Sequence, residues 1–257
     1  MFRFFKKKKA KETIKEEVVI QPSDTAIKLN LSKEESLNLL DLRKTTVANI
    51  CESIPDLQNM RARVALVLDF SGSMGSMYKD GTVQAAIERI MPIASQFDDD
   101  GELDLWIFEN SYRRLESVNM NNFYGMAKKI YEEYSMGGTN YCPVMRDVVR
   151  KYTEEDRSYL PAYVFFLTDG DNSDKSTTQN LIKTTCKEPI FWQFIGLGTD
   201  SMKFLEKLDD MKGRSIDNAD FFRLPKPNHI SDEDLYAKIF NEYPEWVKTV
   251  RQKGIIK

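Results

Sequence analysis

The chain has 257 residues and a mass of 29.8 kDa, with 41% hydrophobic, 11% aromatic and 30% charged residues and a mean hydropathy of −0.49. That balance reads as a soluble globular protein and excludes bulk disorder; no stretch approaches the roughly 18 consecutive apolar residues of a membrane-spanning helix. The net charge of −3 argues against a general nucleic-acid binder, because phosphate recognition shows as a basic excess.

Residues 1–29 read as a charged, flexible tail. Its first 17 positions carry seven Lys/Arg and three Glu, a local charge of 7 − 3 = +4. No apolar segment of roughly 7–15 residues follows, so the tail is not a secretory signal. Phe2, Phe4 and Phe5 beside Lys6 to Lys9 could touch an anionic membrane surface, but a solvated terminus is the simpler reading. Residues 30–58 read as an N-terminal helical segment. Ser32 and Glu35 form an S-x-x-E capping box, and Leu37, Leu39, Leu40, Leu42 and Val47 follow, predicting a helix over 33–51.

Residues 59–257 read as an α/β domain with C-terminal helices. Val64 to Leu68 is short, continuous and rich in branched side chains, as expected of a strand buried on both faces. Leu103 to Phe108, Tyr163 to Leu167 and Ile190 to Leu197 repeat that pattern, separated by helical stretches near 82–97, 122–134, 143–152, 177–186 and 201–209. Such alternation implies an open, mostly parallel sheet with helices on both faces. Tyr112 to Val118 follows across a break too short for a crossover, so it is expected as an antiparallel edge strand. Residues 231–250 close the chain as one or two amphipathic helices interrupted by Pro244.

The chemistry-bearing residues are restricted. Cys51, Cys142 and Cys186 are too widely spaced for a disulfide framework or a CxxC zinc site, and each reads as a buried thiol in a reducing cytoplasm. His229 is the only histidine, so hydrolases needing an imidazole base are disfavoured; its place before Ser231 suits a surface or capping role. Trp106, Trp192 and Trp246 read as core, and Asp98 to Asp100 as a solvated turn.

In open parallel sheets, ligands bind beyond the carboxyl ends of the strands. There the sequence places Asp69-Phe70-Ser71-Gly72-Ser73 after one strand and Thr168-Asp169-Gly170-Asp171-Asn172 after another, with Gly137-Gly138-Thr139-Asn140 before a helix between them. Singly, each motif would also serve as a turn or a helix cap. Jointly, they bring acids and hydroxyls to one end of the sheet, where converging carboxylates need a cation. All-oxygen donors favour a hard ion such as Mg²⁺, Mn²⁺ or Ca²⁺.

Asp69-x-Ser71-x-Ser73, Thr139 and Asp169 resemble the metal-ion-dependent adhesion site of von Willebrand factor A (vWA) domains. The segments DFSGSM, GGTNY, TDGDN and FWQFIGLG and the helix LSKEESLNLLDLRK resemble the bacterial tellurium-resistance-associated, TerF-like branch, over roughly residues 30–250. The resemblance implies Ser71 and Ser73 as direct ligands, Thr139 bound directly or through water, and Asp69 and Asp169 acting largely through water and as anchors. Asp171 and Asn172 are expected at the rim. A cation so held keeps affinity for an outside carboxylate, which implies a non-enzymatic interaction module. Its protein partner would offer an Asp or Glu and come from a tellurium-resistance cluster or stress assembly.

A Mg²⁺-dependent phosphohydrolase using Asp69 is the alternative. The second acid of the usual aspartyl-phosphate pattern is replaced here by Ser71, and neither GxxxxGK[ST] nor GxGxxG is present. Direct sequestration of a metal or oxyanion ranks below both, because one site per chain is a poor buffer.

Overall fold

A computed structural model describes residues 28–156 and 158–257. All but the last two positions of the basic tail lie outside the described residues. The capping box forms as the sequence implies: Glu35 N–H donates to Ser32 Oγ at 3.2 Å and Ser32 N–H to Glu35 Oε2 at 2.8 Å. It opens helix α1 (Lys33–Ser53), which buries Leu40, Val47 and Cys51. Helices α2 (Gly75–Asp80) and α3 (Thr82–Phe97) follow strand β1 (Arg63–Asp69), and Ser36 Oγ of α1 donates to Glu88 Oε1 of α3 at 3.1 Å.

The rest of the chain runs β2 (Asp104–Phe108), β3 (Tyr112–Arg114), α4 (Met126–Glu133), α5 (Cys142–Arg150), β4 (Ala162–Thr168), α6 (Lys175–Thr184), β5 (Ile190–Leu197), α7 (Lys203–Asp209), β6 (Ala219–Leu224), α8 (Asp232–Ile239) and α9 (Tyr243–Gln252). The strands form one six-stranded sheet in the order β3-β2-β1-β4-β5-β6. Every neighbouring pair is parallel except β2 with β3, so the expected antiparallel edge is present. Two apolar clusters flank the sheet. One joins Val64, Leu66 and Leu68 of β1 to α1, α3, α8 and α9; the other joins Ala65 and Val67 to α5, α6 and α7. The period-two alternation of a doubly buried strand therefore feeds both cores.

Four expectations need correction. Pro244 does not interrupt a helix: the break falls between Ile239 and Tyr243, and Pro244 sits in the first turn of α9, where a missing N–H is tolerated. The edge strand is continuous only over Tyr112–Arg114; beyond it, pairing resumes at Val118, which bridges Leu103 antiparallel. Strand β6 was not expected, since Asp220 and Arg223 break its apolar run. Asp98 is not simply solvated: its side chain is buried and meets Arg63 Nη1 at 2.8 Å, while Asp99 pairs with Arg61. The three cysteines are buried and free, and the three tryptophans are buried. Among the described residues, no helix is long and apolar enough to cross a membrane.

Candidate metal centre

Strand order reverses between β1, whose neighbours are β2 and β4, and the chain that returns to β4 from the far edge. The crevice at that reversal is where open α/β sheets bind ligands. Asp69 ends β1 and Thr168 ends β4, and the register Leu68 with Leu167 puts both end residues on the face that carries α5. The geometry of the site follows from that register.

Asp69 is fully buried. Its Oδ1 accepts Ser71 N–H at 2.8 Å and its Oδ2 accepts Thr168 Oγ1–H at 2.6 Å, while Tyr78 O–H donates to its backbone carbonyl at 3.1 Å. Ser71 Oγ lies 3.1 Å from Ser73 Oγ, and Ser73 Oγ donates to Asp169 Oδ1 at 2.9 Å. The structure thus brings four of the five expected residues into one connected group. The loop that carries Thr139 is tied to the other two through its backbone: Gly72 N–H donates to the Gly137 carbonyl at 3.1 Å, and Ser173 N–H to the Thr139 carbonyl at 2.9 Å. Among the described residues, the Thr139 hydroxyl makes no hydrogen bond to the other four.

Asp171 accepts Lys175 Nζ of α6 at 2.6 Å and Phe204 N–H of α7 at 3.2 Å. Asn172 departs from expectation. It is buried and turned toward α6, where its Nδ2 donates to Asp174 Oδ1 at 2.6 Å and Thr178 Oγ1 at 3.0 Å. Three supporting residues were not foreseen. Thr168 and Tyr141 lie behind Asp69, and Asp174 accepts the N–H groups of Tyr141 and Cys142 at 3.0 and 2.7 Å, capping α5. A threonine closing a wholly buried strand was the available signal, because a hydroxyl there needs a partner.

Burial pushes the Asp69 carboxyl up to about 6, against the donors Ser71 and Thr168, which favour its charged form; the neighbouring Asp169 adds to the rise. Burial also raises Asp169, offset by Ser73. Among the described residues, neither acid has an ion-pair partner, although Asp98, Asp147 and Asp232 all do. A cation at the crevice would relieve that charge. The spacing fits one: ligands around an octahedral Mg²⁺ at about 2.0–2.1 Å stand roughly 2.9 Å apart along an edge. Ser71 Oγ to Ser73 Oγ is 3.1 Å and Ser73 Oγ to Asp169 Oδ1 is 2.9 Å. The donor set contains no sulfur or imidazole, which suits a hard ion.

The comparisons with known proteins agree with this architecture. The chain is 40% identical over 222 residues to the uncharacterized protein YcbR of Bacillus subtilis (strain 168), covering 85% of this chain and 90% of that one. Among solved structures it resembles BatB from Bacteroides thetaiotaomicron (TM-score 0.51, 13% identity, 74% of this chain and 99% of that one). It also resembles manganese-loaded TRAP protein of Plasmodium vivax (TM-score 0.51, 16% identity, 75% and 74%). It spans less than half the length of several other solved chains that it matches. The family model vWA-TerF-like, described as the vWA found in the TerF C terminus, matches residues 61–256, and the chain belongs to that family.

Proposed function

We propose that this chain is a non-enzymatic, metal-dependent protein-interaction module. In this reading Ser71, Ser73 and Thr139 hold a divalent cation, Mg²⁺ or else Mn²⁺ or Ca²⁺, with Asp69 and Asp169 anchoring it. The observation that carries it is the run of oxygens from Ser71 through Ser73 to Asp169, spaced at 3.1 and 2.9 Å. The TRAP structure that shares the fold was solved with manganese, which accords with this choice of ion.

Hydroxyl ligands leave the ion's charge largely uncompensated, so it retains affinity for an anionic oxygen. The partner we propose is a protein offering an Asp or Glu side chain to the ion. TerF-like membership supports a place in a tellurium-resistance or stress-response system, from which the proposed partner would come, and the Bacillus relative supports a bacterial setting.

The burial of Asp69 weighs against the phosphohydrolase alternative. A nucleophilic carboxylate needs a free oxygen facing substrate, whereas both oxygens of Asp69 accept hydrogen bonds from inside the protein. The test is capture of a partner in Mg²⁺ by wild type, Asp69→Ala and wild type with chelator, beside a phosphomonoester turnover assay. Capture by wild type alone, without turnover, is expected. Metal-dependent turnover abolished by Asp69→Ala would replace this reading with the hydrolase.

A further inference from the structure

The hydroxyls behind Asp69 form a chain that crosses all three loops of the site. Thr168 Oγ1 donates to Asp69 Oδ2 at 2.6 Å, and its own oxygen lies 3.0 Å from the Tyr141 hydroxyl. The single Tyr141 hydroxyl proton is shared between Thr168 Oγ1 and the Gly170 carbonyl, so it holds the turn after Asp169 as well. Tyr141 itself has little freedom. Its ring is fully buried and set edge-on to Phe108 at 5.5 Å and to Phe166 at 4.8 Å, and its backbone N–H is held by Asp174. It stands two residues after Thr139.

We propose that Tyr141 and Thr168 are a positioning relay that ties the Thr139 loop to the carboxylate of Asp69 and so sets how tightly the site holds its cation. The proposal rests on the metal-binding reading above. Its physical basis is rotational. A carboxylate turns easily about its last torsion, which has broad minima. Among the described residues, Asp69 is fixed by one donor on each oxygen: the Ser71 N–H belongs to its own loop, and only Thr168 refers it to the rest of the fold. Hydrogen bonds to charged groups are the stronger ones, and in a buried site no water replaces a donor that is removed. Tyr141 contributes through Thr168 and Gly170, by holding the hydroxyl and the turn where the two acids need them. Neither residue touches the ion in this account.

The full-length chain is titrated with Mn²⁺ by calorimetry as wild type, Tyr141→Phe, Thr168→Val, the double variant and Thr168→Ser, with melting in chelator measured in parallel. Tyr141→Phe and Thr168→Val are each expected to weaken Mn²⁺ binding by about ten- to a hundredfold, the usual range for losing a partner of a metal ligand. Thr168→Ser, which keeps the hydroxyl, restores wild-type affinity. The double variant is expected to lose less than the sum of the two, since Tyr141 acts in part through Thr168. Wild-type affinity in Tyr141→Phe and Thr168→Val, with lower melting in chelator, would make these hydroxyls structural only and overturn the relay. So would a double variant that loses the sum of the two. Should Thr168→Val fail to fold, Tyr141→Phe decides alone, because it removes one oxygen from a ring that Phe108 and Phe166 still hold. A wild type that takes up no Mn²⁺ overturns the metal-binding reading itself, a result distinct from one in which wild type binds and the variants match it.

Discussion

Arg43 of α1 and Asp232 at the start of α8 meet at 2.8 Å across 189 positions of sequence. Arg89 of α3 takes the other oxygen of the same carboxylate at 2.7 Å and also donates to the Ile230 carbonyl at 2.6 Å. One side chain thus joins three helices. Both guanidinium side chains are nearly buried, at 3% and 5% exposure. Burial alone would raise the Asp232 pKa, but Arg43 and Arg89 outweigh it and hold it below the usual carboxylate range. Its contribution to stability is therefore present above the unfolded-state pKa and lost as pH falls through the lower folded one. Asp232→Ala leaves two buried cations unpaired and is expected to cost about 3–5 kcal/mol in urea denaturation. A loss below 1 kcal/mol would mean that apolar packing alone docks α1 and α8.

The far edge of the sheet has the opposite pH dependence. Asp209, Asp220 and Glu242 bring carboxylate oxygens within 4.8 Å of one another. Burial, then mutual repulsion, raises Asp209 to about 6 and Glu242 to about 7, and burial raises Asp220 despite the Gln193 donor. A raised folded pKa stabilises at low pH, with the full contribution below about pH 4, and that contribution is lost as pH rises through 6 to 7. Glu242→Gln is expected to leave stability at pH 5 nearly unchanged and to raise it at pH 8 by roughly 1 kcal/mol, discounted for solvent screening. Thermal melting at the two pH values checks this, and equal effects at both would refute it.

Gly137 lies where the second site loop passes the first. A Cβ built there would stand 2.6 Å from Glu109 Oε2 and 3.1 Å from Glu109 Cβ, whereas one at Gly72 would meet nothing within 4 Å. In Gly137→Ala the Glu109 carboxylate must swing aside and the contact with Glu109 Cβ must give by a few tenths of an ångström, straining the 3.1 Å bond from Gly72 N–H to the Gly137 carbonyl. Overpacking of this kind costs about 1–3 kcal/mol. Gly137→Ala is expected to lose that much stability and to bind divalent ions more weakly, with Gly72→Ala close to wild type in both. Comparable behaviour of the two variants would show that the close approach of these loops has no functional weight.

The readable parts of this fold were those where one physical signal dominates. Near-continuous apolar runs marked β1, β4 and β5, because strands buried on both faces carry few polar residues to confuse the pattern, Gln193 of β5 being one. Asp69 and Asp169 stood out for the complementary reason, as acids at the ends of such runs. Strand β6 was hidden because Asp220 and Arg223 break its pattern, and α2 because six residues are too few to show a helical period. The Tyr141–Thr168–Asp69 chain was hidden for a different reason: it depends on the register between β1 and β4, which is tertiary information. Asn172 shows the converse, since nearness in sequence to Asp169 placed it at the rim while its amide is bound to Asp174 and Thr178.

The central claim is that Ser71, Ser73 and Thr139, with Asp69 and Asp169 as anchors, hold one hard cation. Calorimetric titration of the full-length chain with Mg²⁺ and with Mn²⁺, on wild type, Ser73→Ala and Asp69→Ala, tests it most directly. The account predicts one saturable site per chain in wild type, a melting temperature raised by the ion, and loss of both effects in the two variants. Folded wild-type protein that takes up neither ion, or variants that bind as wild type does, would contradict it.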